Sequence, residues 1–332
     1  AAGNVTITDT IYVEPLTITE GTEGINVTAN RNWINQDIEV TMQSTDNRYE
    51  LLTSLDKKNW TKTNSYTIEE NGSVYGKLTD GINCGEILDY KVTNIDKQKP
   101  VVTLEKEEVT SKKFVIGLDF KDNASGLGKI TWYYRNTINN DYIEVVQDYQ
   151  TINGVDAGAL DTHKQLTIDN LVKGTYEIYA VVTDVAGNIV NTKDGIEGET
   201  TTPIITVELE EITPAEGTIT LTPSTTNWTN KPITIDASNT DDRYQIQLST
   251  DGNTYETTDQ ITVEQNTDVY TRLTDGVNAG ESTKITISNI DTSPIVAIIQ
   301  NIDTTSKTFT VEADITDNAS GLGRIDWYMR KK

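Results

Sequence analysis

Asp122, Asn123 and Asp184 flank two glycine-containing turns, Asp122-Asn123-Ala124-Ser125-Gly126 and Asp184-Val185-Ala186-Gly187-Asn188, and the first pair returns as Asp317 and Asn318. Carboxylate and amide oxygens gathered at loops are what a hard cation such as Ca2+ takes, six to eight at a time. The same side chains equally cap turns by accepting backbone N–H bonds, and their spacing is not that of a defined calcium loop. Asp96 and Asp291 close Asn94-Ile95-Asp96 and Asn289-Ile290-Asp291, with Pro100 and Pro294 just beyond. An acid beside a proline-stiffened crossing suits an ordinary short linker or a cation site between domains. No motif requires a cofactor, and Ca2+ is the ion these oxygens could hold.

Trp132, Tyr133, Tyr134 and Tyr142, with Tyr149 nearby, form an aromatic-rich stretch. It reads either as cross-strand packing or as a surface on which a sugar ring could stack. Arg48 and Arg243 stand beside Asp46 and Asp241-Asp242 and read as surface ion pairs. The single histidine, His163, reads as a loop residue with no nucleophile near it, and with one cysteine, Cys84, it leaves no zinc site and no intramolecular disulfide. Paired carboxylates for glycoside hydrolysis need a cleft at a fixed separation, and with 51 acids in the chain proximity alone means nothing. The expectation is a protein that is not an enzyme.

The elements that must carry these residues follow from composition. The chain has 332 residues, a net charge of −24 and a pI near 4.3, and contains no basic block, so it repels nucleic acid. Threonine occurs 54 times, against 3 Phe and 2 Met; a β-branched residue with a hydroxyl suits extended strands with wetted faces. No apolar run reaches membrane-spanning length. Seven Asn-x-Ser/Thr sites (Asn4, Asn26, Asn59, Asn71, Asn123, Asn227 and Asn318) matter only where asparagine is glycosylated.

The chain repeats with an offset of 195 residues. Asn32-Trp33-Ile34-Asn35 returns as Asn227-Trp228-Thr229-Asn230, and residues 32–96 and 227–291 share 26 identities in 65 ungapped positions, including Leu78-Thr79-Asp80-Gly81 with Leu273-Thr274-Asp275-Gly276. The segment 122–128 returns unchanged at 317–323, and Trp132-Tyr133 returns as Trp327-Tyr328. Two module types therefore alternate. The expected layout is a terminal strand fragment of a preceding module over 1–10, a first-type module over 11–97, a complete second-type module over 98–202, a second first-type copy over 203–292 and the first half of another second-type module over 293–332. The opening Ala2-Gly3-Asn4 matches Ala186-Gly187-Asn188, so the chain reads as a window on a longer repetitive protein, or as one whose open half is completed by a neighbouring subunit.

Each module is expected to be a β-sandwich. Phe114, Ile116, Leu118 and Phe120 alternate with their neighbours, as do Tyr176, Ile178, Ala180 and Val182, Ile38, Val40 and Met42 with counterparts Ile233, Ile235 and Ala237, and Phe309, Val311, Ala313 and Ile315. Period two with one apolar face marks a half-buried strand. Modules of roughly 85 to 105 residues with many short strands have the rhythm of an immunoglobulin-like sandwich. Trp33 and Trp228 read as strand-edge or core anchors.

The stretch Leu171-Val172-Lys173-Gly174-Thr175-Tyr176, followed by Asp184-Val185-Ala186-Gly187-Asn188, resembles the last hairpin of bacterial immunoglobulin-like surface repeats, with fibronectin type III modules more distant. Asn227-Trp228-Thr229-Asn230, Ser249-Thr250-Asp251-Gly252 and Asn289-Ile290-Asp291 resemble modules found in tandem in large cell-surface proteins of Gram-positive bacteria; Asp56-Lys57 departs from that pattern. The two Asn-Ile-Asp junctions faintly resemble the calcium-binding linkers of cadherins. The resemblance implies an all-β fold of tandem immunoglobulin-like sandwiches in series, an elongated extracellular rod. Its implied role is that of a non-catalytic stalk or appendage body. Three alternatives stand beside it: an adhesin binding glycan or host protein, a filament subunit assembled by strand complementation from neighbouring copies of itself, and an accessory region of a secreted carbohydrate-active enzyme. Membrane insertion of this segment is not expected.

Overall fold

The computed structural model describes residues 3, 17–18, 21–194, 204–213, 218–305 and 307–331. The expected terminal strand over 1–10 thus lies outside the described residues, Gly3 excepted. By contact density the chain divides into two compact units, one of Ala1–Glu107, Val115–Leu166 and Tyr176–Val207, the other of Glu108–Phe114, Thr167–Thr175 and Glu208–Lys332.

The described chain is built from small antiparallel sheets. In the first-type repeat, Ile25–Thr28, Ile38–Ser44 and Ser65–Ile68 make one sheet, and Glu50–Ser54, Gly72–Thr79 and Leu88–Val92 another. The period-two residues Ile38, Val40 and Met42 of the first sheet meet Val74, Leu78 and Val92 of the second in one buried cluster. Burial of about 25 cal/mol per Å² of apolar surface holds such a core with no disulfide. The second copy repeats this. Ile219–Pro223, Ile233–Asn239 and Gln260–Val263 stand in one sheet, and Glu256–Thr257, Gln245–Ser249, Thr267–Thr274 and Thr283–Ile287 in the other. Ile233, Ile235, Val269 and Ile287 share a core cluster.

The Asn-Trp and Asn-Ile-Asp motifs belong together, the second bridged to the first. Ile34 and Ile95 form a parallel bridge, as do Thr229 and Ile290. Ile34 N–H donates to the Asn94 carbonyl and Asp96 N–H to the Ile34 carbonyl, each at 3.0 Å. The Asn94 amide donates to the carbonyls of Asn30 and Asn32, and Asn71 Oδ1 accepts the Ile95 N–H at 2.9 Å. Asn289 and Asn266 do the same in the later copy. Each recurring asparagine satisfies main-chain groups that the short bridge leaves over. Trp228 is no core anchor, being 49% exposed.

In the second-type repeat, Ile143–Asp148, Leu127–Asn136, Thr175–Asp184 and Ile189–Asn191 form a sheet in that order, with Ile205–Glu208 also paired to Thr175–Asp184. Asp161–Ile168, Phe114–Lys121 and Val101–Val109 form the other sheet. Phe114, Ile116, Leu118, Phe120, Trp132, Ile178, Ala180 and Val182 are all fully buried. His163 lies within the strand Asp161–Ile168, not in a loop; the alternating polar side chains of that strand face water. The last strands, Val296–Thr304 and Phe309–Thr316, pair with each other. Phe309 is 57% exposed where Phe114 is buried.

Candidate cation centre

Three of the five nominated oxygen donors converge in the first unit. One carboxylate oxygen from each of Asp96, Asp122 and Asp184 lies within 4.8 Å of the others. Asp184 ends the strand Thr175–Asp184, Asp122 follows Phe114–Lys121, and Asp96 sits one residue past the Ile34–Ile95 bridge. Asp96 and Asp184 are buried and Asp122 is partly so.

The local bonds are nearly complete. Asp96 Oδ2 accepts the Ser125 N–H and Oδ1 the Gln98 N–H, each at 3.0 Å. Asp184 takes the Asn188 N–H on Oδ1 and the Asn188 side-chain amide on Oδ2, both at 2.7 Å. Asp122 Oδ2 accepts the Gly126 N–H and the Ser125 hydroxyl. Asp122 Oδ1 is buried and has no donor. Burial, reinforced by the charges of Asp96 and Asp122 and opposed by the Asn188 donors, pushes the Asp184 carboxyl up to about 6. Three acids share this site and no lysine or arginine bonds any of them among the described residues. Oxygen-only donors, a buried acceptor without a partner and excess negative charge together fit a hard divalent cation.

The remaining two nominees are Asn123 and Asp291. Asn123 is exposed, and its amide donates to Gln98 Oε1 at 2.6 Å. Asp291 rebuilds half of the arrangement in the second unit: its Oδ2 accepts the Ser320 N–H at 3.0 Å, and Asp317 Oδ2 accepts the Gly321 N–H. Sequence reading missed Ser125 and Asn188, although both lie in motifs it had singled out.

The aromatic residues divide between two faces. Trp132 is fully buried and its indole N–H donates to Gln147 Oε1 at 2.9 Å. Tyr133 stacks on Tyr179, centroids 4.7 Å apart, and Tyr142 meets Tyr179 edge-on at 5.0 Å. Arg135 lies over the Tyr142 ring and bonds Glu177, which also accepts the Tyr142 hydroxyl at 3.0 Å. These rings spend their faces on one another. Tyr134 pairs across to Ile143 and Ile178 and is partly buried.

His163 bridges Glu107 and Asp119, each at 2.8 Å, and these acids raise its pKa, the Asp119 bond foremost. Arg48 and Arg243 pair with Asp46 and Asp241 at the surface. Among the described residues no helix is long and apolar enough to cross a membrane.

No protein-family model and no curated protein matches this sequence. Among solved structures, the chain is similar to a two-domain fibronectin type III segment of chicken tenascin, at 8% identity over 50% of this chain and 95% of that one, with a TM-score of 0.24. It is also similar to a marsupial T cell receptor in two structures, each at 11% identity over 79% of this chain and 99% of that one, with TM-scores of 0.29 and 0.20. At such scores the all-β class rests on this chain's own sheets.

Proposed function

We propose that the chain is a non-catalytic array of immunoglobulin-like sandwich modules in an extracellular stalk or appendage, and that Asp96, Asp122 and Asp184 hold a Ca2+ ion that stiffens one joint of it. The supporting observation is the convergence of the three acids around the unsatisfied Asp122 Oδ1. Asp96 belongs to the bridge that closes the first-type repeat, whereas Asp122 and Asp184 belong to strands of the second-type repeat. A cation drawing on all three removes freedom between the segments and offsets their mutual repulsion. A role in position rather than chemistry also agrees with thin sandwiches and an acidic, threonine-rich surface.

Calorimetric titration of Ca2+ into the metal-stripped chain tests the cation. One tight site is expected, lost in Asp184→Asn, with Tm rising as Ca2+ is added; at a hundredfold excess over Kd the gain is about 2.7 kcal/mol. Neither heat nor a Tm change at millimolar Ca2+ would remove the ion from the reading. Electron microscopy of material from its source tests the array: beaded rods are expected, and compact single particles would oppose it.

A further inference from the structure

A second donor set lies on the outer face of the sheet formed by Val101–Val109, Phe114–Lys121 and Asp161–Ile168. Phe114, Ile116, Leu118 and Phe120 point into the sandwich, so the alternate positions Gly117 and Asp119 stand on the other side of the same strand. One ligand atom from each of Glu105, Asp119 and His163 lies within 4.8 Å of the others, and all three residues are exposed. Each comes from a different strand of the sheet, so the paired backbones set their spacing.

The imidazole is held at both nitrogens. His163 Nδ1 lies 2.8 Å from Asp119 Oδ1, and Nε2 lies 2.8 Å from Glu107 Oε1. Gln165 donates its side-chain amide to the other Glu107 oxygen. Glu107 reaches the ring across Gly117: a Cβ there would overlap Glu107 Oε1 and stand 2.9 Å from His163 Cε1. Gly117 is buried although it faces outward, because these two side chains cover it. A glycine weakens the middle of a strand, and here it gives the space in which acid and ring meet.

Glu105 is the member with no bond of its own. It makes no hydrogen bond or ion pair among the described residues, yet its carboxylate stands beside that of Asp119. Like charges side by side on a sheet are destabilising. The 195-residue repeat shows the alternative. Glu105, Glu107, Gly117 and Asp119 correspond to Gln300, Ile302, Glu312 and Asp314. There the Gln300 amide donates to Asp314 Oδ2 at 3.1 Å, a bond from a neutral donor between the same two positions. The repeat therefore accepts a neutral residue at 105 and a side chain at 117. The complete copy instead gathers three carboxylates around the one imidazole.

We propose that Glu105, Asp119 and His163 Nδ1 ligate a divalent transition-metal ion of the Zn2+ kind, with Glu107 as a positioning residue. Bound in this way, the ring carries its N–H on Nε2 and donates it to Glu107, which fixes tautomer and orientation. The ion takes the place of the proton with which His163 now bridges both acids. Nitrogen beside carboxylates suits Zn2+, whereas Ca2+ takes oxygen alone. The composition rules out a Cys/His zinc site; here two carboxylates complete the set.

His163 is the only histidine in the chain, so its imidazole signals report this site alone. The test titrates ZnCl2 into the full chain in excess CaCl2 and follows the heat together with the nitrogen NMR signals of His163. Expected is one site tighter than about 0.1 mM, with Nδ1 moved to a metal-bound position and Nε2 protonated. Glu105→Gln, which matches Gln300, should weaken Zn2+ roughly tenfold or more without lowering the Tm of the metal-free chain, and His163→Gln should abolish the site. Glu107→Ala should weaken it about 10–100-fold and mix the two tautomers, which a purely structural role would not do. No heat up to about 1 mM Zn2+ overturns the proposal. So does binding that leaves the His163 signals in place, or that is undiminished in Glu105→Gln. Asp184→Asn should bind Zn2+ as the parent chain does, so this outcome is separate from Ca2+ at the three buried acids; Zn2+ binding lost in that variant would put the ion there and overturn the proposal as well.

Discussion

Asn188 donates its side-chain amide to the main-chain carbonyl of Asp96 at 2.8 Å, across 92 positions of sequence. The same nitrogen also bonds Asp184 Oδ2 at 2.7 Å, so one buried amide ties the closing bridge of the first-type repeat to a strand end of the second-type repeat. Replacing it by alanine removes both bonds and leaves a buried carboxylate short of donors. Asn188→Ala is expected to cost about 2–4 kcal/mol, read as a lower urea midpoint for the first unit, with Asp96→Asn milder because its carbonyl remains.

The raised pKa of Asp184 fixes the sign of a pH effect in EDTA. The folded chain holds this proton up to about 6, the unfolded chain only to about 3.8. Between those values the folded state binds more protons, so stability is full below about pH 4 and falls as pH rises towards 6. A shift of this size corresponds to roughly 3 kcal/mol at most. Asp184→Asn should flatten this part of the stability–pH curve, and saturating Ca2+ should reverse its slope.

Gly126 and Gly321 hold the same left-handed φ of 78° in equivalent turns. A Cβ on Gly126 would come within 2.3 Å of the Gly158 carbonyl oxygen, whereas one on Gly321 meets nothing within 4 Å. Gly126→Ala therefore combines backbone strain with a clash against main chain and should cost about 3 kcal/mol or more; Gly321→Ala carries the strain alone, about 1 kcal/mol. Thermal melts of the two variants should separate clearly.

Two tryptophans singled out in the repeats should respond differently to truncation. Trp132 is fully buried and bonded to Gln147, so Trp132→Ala should cost about 3–5 kcal/mol. Trp228 is half exposed, and Trp228→Ala should stay within about 1 kcal/mol in denaturant titration.

The strands were legible where alternation is apolar on one face: Phe114, Ile116, Leu118 and Phe120 need no partner to declare their period. His163 was not, because a strand with neither face apolar over Asp161-Thr162-His163-Lys164 looks like a loop until its neighbours are known. The acids were legible as candidates but not as one site. Asp96 meets Ser125 across 29 positions and Asn188 across 92, and such pairings follow from the packing of strands rather than from local spacing. Asn123 stands beside Asp122 in sequence, yet it is exposed and its amide bonds Gln98, while Asp122 Oδ2 accepts the Gly126 N–H. The pairing of Asn-Trp with Asn-Ile-Asp was visible only as co-recurrence, since a parallel bridge leaves no mark on either motif alone.

That bridge has a consequence for the chain under tension. Ile34, which follows the strand Ile25–Thr28, and Ile95, which follows Leu88–Val92, run in the same direction, as Thr229 and Ile290 do in the copy. A pull that reaches Ile34 from its N-terminal side and Ile95 from its C-terminal side drives the two segments past each other along their length, so the bonds at 3.0 Å on either side of Ile34 take the load together instead of opening one after another. The Asn94 and Asn71 side-chain bonds lie across the same line. Rupture of the bridge under force is then governed by the rate of crossing a single steep barrier, so the bridge yields abruptly, like a latch rather than a zipper.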